Sequence, residues 1–116
     1  MKHVVVVEDD RDTLEMMQAM LEQSGLAVHG AQRLHDVEAL VGEDADLFLV
    51  DVMLQGTSGV EVAETLRRHG YDSTPMIAMS ASRSMLHAAR SSHLFQEAIR
   101  KPFDLDTLID CVGRYL

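Results

Sequence analysis

The sequence predicts an α/β fold, an open, doubly wound, five-stranded parallel sheet covered by helices on both faces. Three observations predict it. Short apolar runs with no alternation read as strands buried on both sides, segments of helical spacing lie between them, and successive runs end in a charged or hydroxyl residue. Each parallel connection needs a crossover, the intervening helices supply it, and such crossovers are right-handed.

His3 to Val7 is a β-branched run that feeds Glu8, Asp9 and Asp10. Arg11 to Ser24 places Leu14, Met17 and Leu21 at helical spacing, with a start near Asp12, Glu15 three residues on, and a stop at Gly25. Leu26 to Gly30 is a weaker strand, and Leu34 to Val41 a short helix with Leu34, Val37, Leu40 and Val41 on one side. Leu47 to Val50 is the third strand, ending in Asp51 before the turn-rich Gln55-Gly56-Thr57-Ser58-Gly59. Val60 to Arg68 follows with Val60, Ala63 and Leu66 on one face. Pro75 introduces strand four, Met76 to Met79, which ends at Ser80. Arg83 to Ser92 is the fourth helix, Ala98 and Ile99 the fifth strand, and Leu105 to Leu116 the last helix.

Residues 1–116 are enough for one core and too few for two. No run is long and apolar enough for a membrane span, and Met1 to Val7 already reads as a core strand, not a leader. The formal charge of −9 sets the surface against direct contact with nucleic acid or an anionic membrane. Cys111, the single cysteine, has no internal disulfide partner and sits in a helical pattern as a small core residue, which fits a cytoplasmic setting. The eight methionines, Met16, Met17, Met20, Met76 and Met79 among them, read mostly as core filling, with Met85 a candidate for a partner-binding face.

In a doubly wound sheet, binding occurs beyond the carboxyl ends of the strands, which gathers Glu8, Asp9, Asp51, Ser80 and Lys101 on one edge. Two carboxylates about 4 Å apart repel by about 4 kcal/mol at an effective dielectric near 20, so a cation is expected among them. Oxygen donors without His or Cys suit Mg²⁺ or Mn²⁺. A carboxylate can itself accept a phosphoryl group when a metal and an ammonium such as that of Lys101 neutralise the equatorial oxygens, and the Ser80 hydroxyl can donate to one of them. Acids after a strand are often only a solvated loop. Four strand ends carrying such groups make that explanation a poor one. The histidines, His3, His29, His35, His69, His87 and His93, are scattered without metal-ligand spacing.

The run Val4-Val5-Val6-Val7-Glu8-Asp9-Asp10 resembles the opening of response-regulator receiver domains of two-component signalling. Asp51-Val52-Met53-Leu54-Gln55-Gly56-Thr57-Ser58-Gly59 resembles the segment around the family's phosphorylated aspartate. Met76 to Ala81 is similar to its hydroxyl-bearing strand, and Lys101-Pro102-Phe103 to its lysine turn. Each motif alone is weak, but the ordered set spans the chain. The resemblance implies one receiver (phosphoacceptor) domain over 1–116 with a flavodoxin-like sheet of strand order 2-1-3-4-5, and a phosphorelay role rather than an enzyme's. Asp51 would be the phosphoacceptor, assisted by Ser80 and Lys101. Mg²⁺ would be held by Asp9 directly, by Glu8 mainly through water, by Asp51 and by the backbone carbonyl of Met53, with Asp10 left to a loop role. A cis Lys101-Pro102 peptide is also implied.

The partners implied are a histidine kinase or histidine phosphotransfer protein as donor and a downstream protein target, controlled through helix four, strand five and helix five. That surface is also a candidate dimer face. The chain reads as a single-domain regulator. It departs from the family at Ala98, where relatives carry an aromatic ring, at Gln55, where many have Pro, and at Leu94-Phe95 in place of Gly-Ala. Phe95 reads as core. A phosphorylation-independent, receiver-like binding module is the alternative that Ala98 raises. A magnesium phosphatase of this topology would want an acid at position 53, which is Met, and a flavin or nucleotide carrier would want a Gly-rich loop after strand one.

Overall fold

The computed structural model describes residues 1–39, 44–54 and 56–116. Its sheet strands are β1 (His3–Val7), β2 (Ala27–Ala31), β3 (Leu47–Asp51), β4 (Met76–Ser80) and β5 (Glu97–Arg100). Its helices are α1 (Arg11–Gln23), α2 (Leu34–Ala39), α3 (Gly59–Arg68), α4 (Arg83–Ser91) and α5 (Leu105–Tyr115). The strands are all parallel in the order β2-β1-β3-β4-β5. Met53–Leu54 and Thr57–Ser58 add a small antiparallel ribbon between β3 and α3.

Because side chains alternate across a strand, the central valines divide between two cores. Val5, Val7, Phe48, Val50, Met76 and Ala78 face Val37 of α2, Val62, Ala63 and Leu66 of α3, and Ala89 of α4. Val4, Val6, Leu47, Leu49, Ile77, Met79 and Ile99 face Leu14, Met17 and Leu21 of α1 and Leu108, Cys111 and Val112 of α5. Each fully buried large aliphatic side chain contributes about 1.5–3 kcal/mol, and two cores on one sheet fix the carboxyl ends of its strands relative to one another.

The sequence reading needs several corrections. α1 begins before Asp12: Asp10 is its N-cap, the carboxylate accepting from the Thr13 amide at 3.1 Å and the Thr13 hydroxyl at 2.5 Å. β2 runs one residue later than expected. Val62 is fully buried on α3, whereas Val60 only borders the core. Met16 is exposed and Met20 half-buried, so neither fills the core as expected. The expected roles of Leu40, Val41 and Gln55 lie outside the described residues, as does the side chain of Leu34. Gly25, with φ of +86°, does end α1, in a conformation an L side chain rarely adopts. Phe95 and Cys111 are buried, as expected.

Candidate functional site

Backbone hydrogen bonds continue past the strands and tie the carboxyl end of β1 to β2, that of β3 to β4 and that of β5 to β4. The Glu8 amide donates to the Ala31 carbonyl, that of Val52 to Met79, and that of Lys101 to Ser80, at 2.9, 3.0 and 2.9 Å. Three carboxylates meet on this scaffold. One oxygen from each of Glu8, Asp9 and Asp51 lies within 4.8 Å of the others. Glu8 and Asp51 are buried, at 2% and 6% exposure.

Lys101 enters the cluster from the far end of the chain. Its Nζ donates to Glu8 Oε2 at 2.7 Å and to Asp51 Oδ2 at 2.9 Å. Burial alone would push the Lys101 ammonium down, but the two carboxylates outweigh it and its pKa is raised. Burial pushes Glu8 up to about 7, helped by its contact with Asp51 and opposed by Lys101. An ammonium thus holds together acids that water would otherwise hold apart.

Asp51 Oδ1 accepts from the Met53 amide at 2.8 Å, which fixes the carboxylate's rotation. Gly59 makes this geometry fit. A Cβ there would lie 2.5 Å from the Asp51 carbonyl oxygen and from Val52 Cα, so only glycine lets α3 start against the end of β3. Ser80, 1% exposed, follows Met79, the register partner of Asp51 on β4, and its Oγ accepts from the Ser82 amide at 3.0 Å. Beside the acids a concavity of about 430 Å³ is lined by Asp9, Val52, Met53, Leu54, Met85 and the ribbon residues Thr57 and Ser58. Met85 is half-buried against the core and Met53 is 55% exposed.

The predicted set is therefore gathered on one edge, with Asp10 turned away into its cap. The Lys101-Pro102 peptide is cis. Sequence reasoning missed the Met53 amide and the close approach at Gly59; the Gly at the start of a helix, directly after the turn, was the available signal. The donor set suits a hard divalent cation, since it offers oxygen alone and concentrates negative charge that one ammonium only partly neutralises. At the position without an aromatic ring, Ala98 packs against the α3–α4 core, and the Arg90 guanidinium donates to its carbonyl at 3.4 Å.

A family model described as response regulator receiver domain matches residues 4–113, and the chain belongs to that family. It is a domain of the two-component phosphorelay class, with the flavodoxin-like receiver fold, and its relatives are signalling regulators. The uncharacterized transcriptional regulatory protein YkoG of Bacillus subtilis (strain 168) is 32% identical over 111 residues, covering 92% of this chain and 47% of its own length. The transcriptional regulatory protein CpxR of Klebsiella pneumoniae is 29% identical over 105 residues, 90% of this chain and 44% of that protein. The chain thus spans less than half the length of these curated relatives. Among solved structures, response regulator TrrA from Thermotoga maritima, in complex with Mg(2+)-BeF, is 26% identical with a TM-score of 0.88, covering 100% of both chains. Chemotaxis protein CheY4 of Vibrio cholerae superposes at 0.90 with 22% identity, over 100% of this chain and 99% of that one. Among the described residues no helix is long and apolar enough to cross a membrane.

Proposed function

We propose that Asp51 accepts a phosphoryl group from a histidine of a partner, a histidine kinase or histidine phosphotransfer protein, and that the modified chain controls a downstream protein through α4, β5 and α5. The observation that carries this reading is the Lys101 ammonium shared between Glu8 and Asp51, with Asp9 close by. Glu8, Asp9, Asp51 and the Met53 carbonyl would hold Mg²⁺, or Mn²⁺ with the same donors. The bound ion would supply charge neutralisation on the transferring phosphoryl oxygens.

Asp51 Oδ2 forms the bond to phosphorus as the P–N bond to the partner's histidine breaks, and the released imidazole is the leaving group. The Met53 amide holds the other oxygen, so the attacking one is aimed without a rotamer search. Lys101 then moves its hydrogen bonds from the carboxylate to the new phosphate, and the Ser80 hydroxyl turns from the Ser82 amide to donate to it. Those contacts exist only in the modified state. At about 1.5–3 kcal/mol for a hydrogen bond to a charged group, two of them are enough to reverse a two-state balance of a few kcal/mol. Partners of this chemistry, and the free buried Cys111, fit a reducing cytoplasm.

Incubation with acetyl phosphate and Mg²⁺ should add the mass of one phosphoryl group, lost with EDTA and absent in Asp51→Asn. No gain with Mg²⁺, or a gain that survives in Asp51→Asn, would refute the assignment.

A further inference from the structure

α4 differs in sign from the molecule around it. Between Ser73 and Phe103 stand Arg83, Arg90, Arg100 and Lys101 against one acid, Glu97, in a chain whose formal charge is −9. Lys101 is turned into the phosphoacceptor site. The other three lie on the outside, together with His87.

Arg83, His87 and Arg90 follow one another at i, i+4 and i+7, so they form one exposed stripe along α4, flanking the face that buries Leu86 and Ala89. Arg90 reaches across to the Ala98 carbonyl, which joins this face to β5. Ala98 packs on the α4 side of the sheet, and Arg100, two residues on, projects to the same side. Glu97 belongs to the other side, where it pairs with Arg114 of α5. Among the described residues, the ion pairs of Lys and Arg are Arg11 with Glu15, Arg68 with Glu64, Arg114 with Glu97, and Lys101 with Glu8 and Asp51. Arg83, Arg90 and Arg100 are in none of them.

We infer that this face docks an acidic segment of a protein partner, an inference that rests on the receiver reading only for when docking matters, since the charge is present without phosphorylation. The molecule measures 32 × 30 × 26 Å, several times the Debye length of about 8 Å at physiological ionic strength, so an approaching partner feels the local sign more than the net charge. The exposed residues between the cations are Ser84, Ala88 and Ser91, and no large apolar side chain stands among them. Stable homodimers need an apolar interface core that this face lacks, whereas a charge-steered, salt-sensitive contact does not. Three arginines are also few for holding nucleic acid against the acidic remainder of the surface.

The test is a titration of the unphosphorylated, full chain with a poly-glutamate peptide, followed through backbone amide shifts. Shifts confined to 83–91 and 98–100 are expected, with binding weakened about tenfold or more by Arg83→Glu/Arg90→Glu. Arg11→Glu/Arg33→Glu, which changes the net charge equally, should leave it nearly unchanged. Equal weakening in both variants, shifts elsewhere, tighter binding of a single-stranded oligonucleotide of equal charge, or a doubled mass mediated by the same arginines would overturn the inference. Phosphoryl uptake measured on Arg83→Glu/Arg90→Glu separates the two readings, because it reports on Asp51 whatever the peptide does.

Discussion

Arg67 and Lys101 are half-buried cations at opposite ends of the same sheet, and they differ in what surrounds them. Arg67 donates to the carbonyls of Tyr71, Asp72 and Thr74 through one nitrogen and to Leu94 and the Gln96 side chain through another, binding the loop before β4 to the loop before β5. Its partners are neutral, and burial lowers its pKa. Lys101 has two carboxylates, which raise its own. A cation among carbonyls is a structural tie, because removing it takes away the donor those acceptors share. A cation among carboxylates is one counterion among several that could serve, so a divalent ion or a phosphate can rearrange it.

This contrast should be visible in stability. Arg67→Met strands several carbonyls and should cost about 3 kcal/mol in urea denaturation, with or without Mg²⁺. Lys101→Met should cost less, and Mg²⁺ should restore most of it; a loss that Mg²⁺ leaves untouched would make Lys101 a plain structural tie. Gly59→Ala tests the scaffold under the acids. Its Cβ cannot fit without shifting the end of β3, so a loss of about 2 kcal/mol is expected together with slower phosphoryl uptake, and a variant of normal uptake would show that the α3 start is not needed to aim Asp51.

pH sharpens the same comparison. The Glu8 carboxyl is raised from 4.5 to about 7 on folding, mainly by burial. The folded chain therefore keeps a proton that the unfolded chain has released. Metal-free stability from this group is greatest at the acid end, falls as pH rises from 4.5 through 7, and levels off above. Mg²⁺ held as proposed would displace that proton, so its stabilisation should be larger at about pH 8 than at about pH 5. Melting curves at the two pH values decide it, and a shift independent of pH would remove Glu8 from the site. The smallest effect is expected from Ser80→Ala, which gives up one hydrogen bond worth about 1 kcal/mol or less and should spare uptake while weakening the response along α4.

The sheet and its acidic edge were legible in the sequence because strand ends in a doubly wound fold are fixed by hydrophobic runs, and Glu8, Asp51, Ser80 and Lys101 each follow one. Two kinds of feature were not. Short-range competition between caps is one: Asp10 and Asp12 are both acids at a helix start, and the Thr13 amide and hydroxyl, both donating to its carboxylate, decide for Asp10. Long-range side-chain contacts are the other. Arg67 looks like any surface cation on α3 until the loops 71–74 and 94–96 are seen to meet there, and Glu97 like a strand acid until Arg114 is seen beside it. Lys101 lies 93 positions from Glu8, a pairing that spacing alone would not reveal.

The most direct test is the amide spectrum of the chain before and after beryllofluoride with Mg²⁺. The account expects shifts at Asp51, Ser80 and Lys101 that extend along α4 and vanish in Asp51→Asn. A spectrum that stays still, or moves equally in Asp51→Asn, would contradict it.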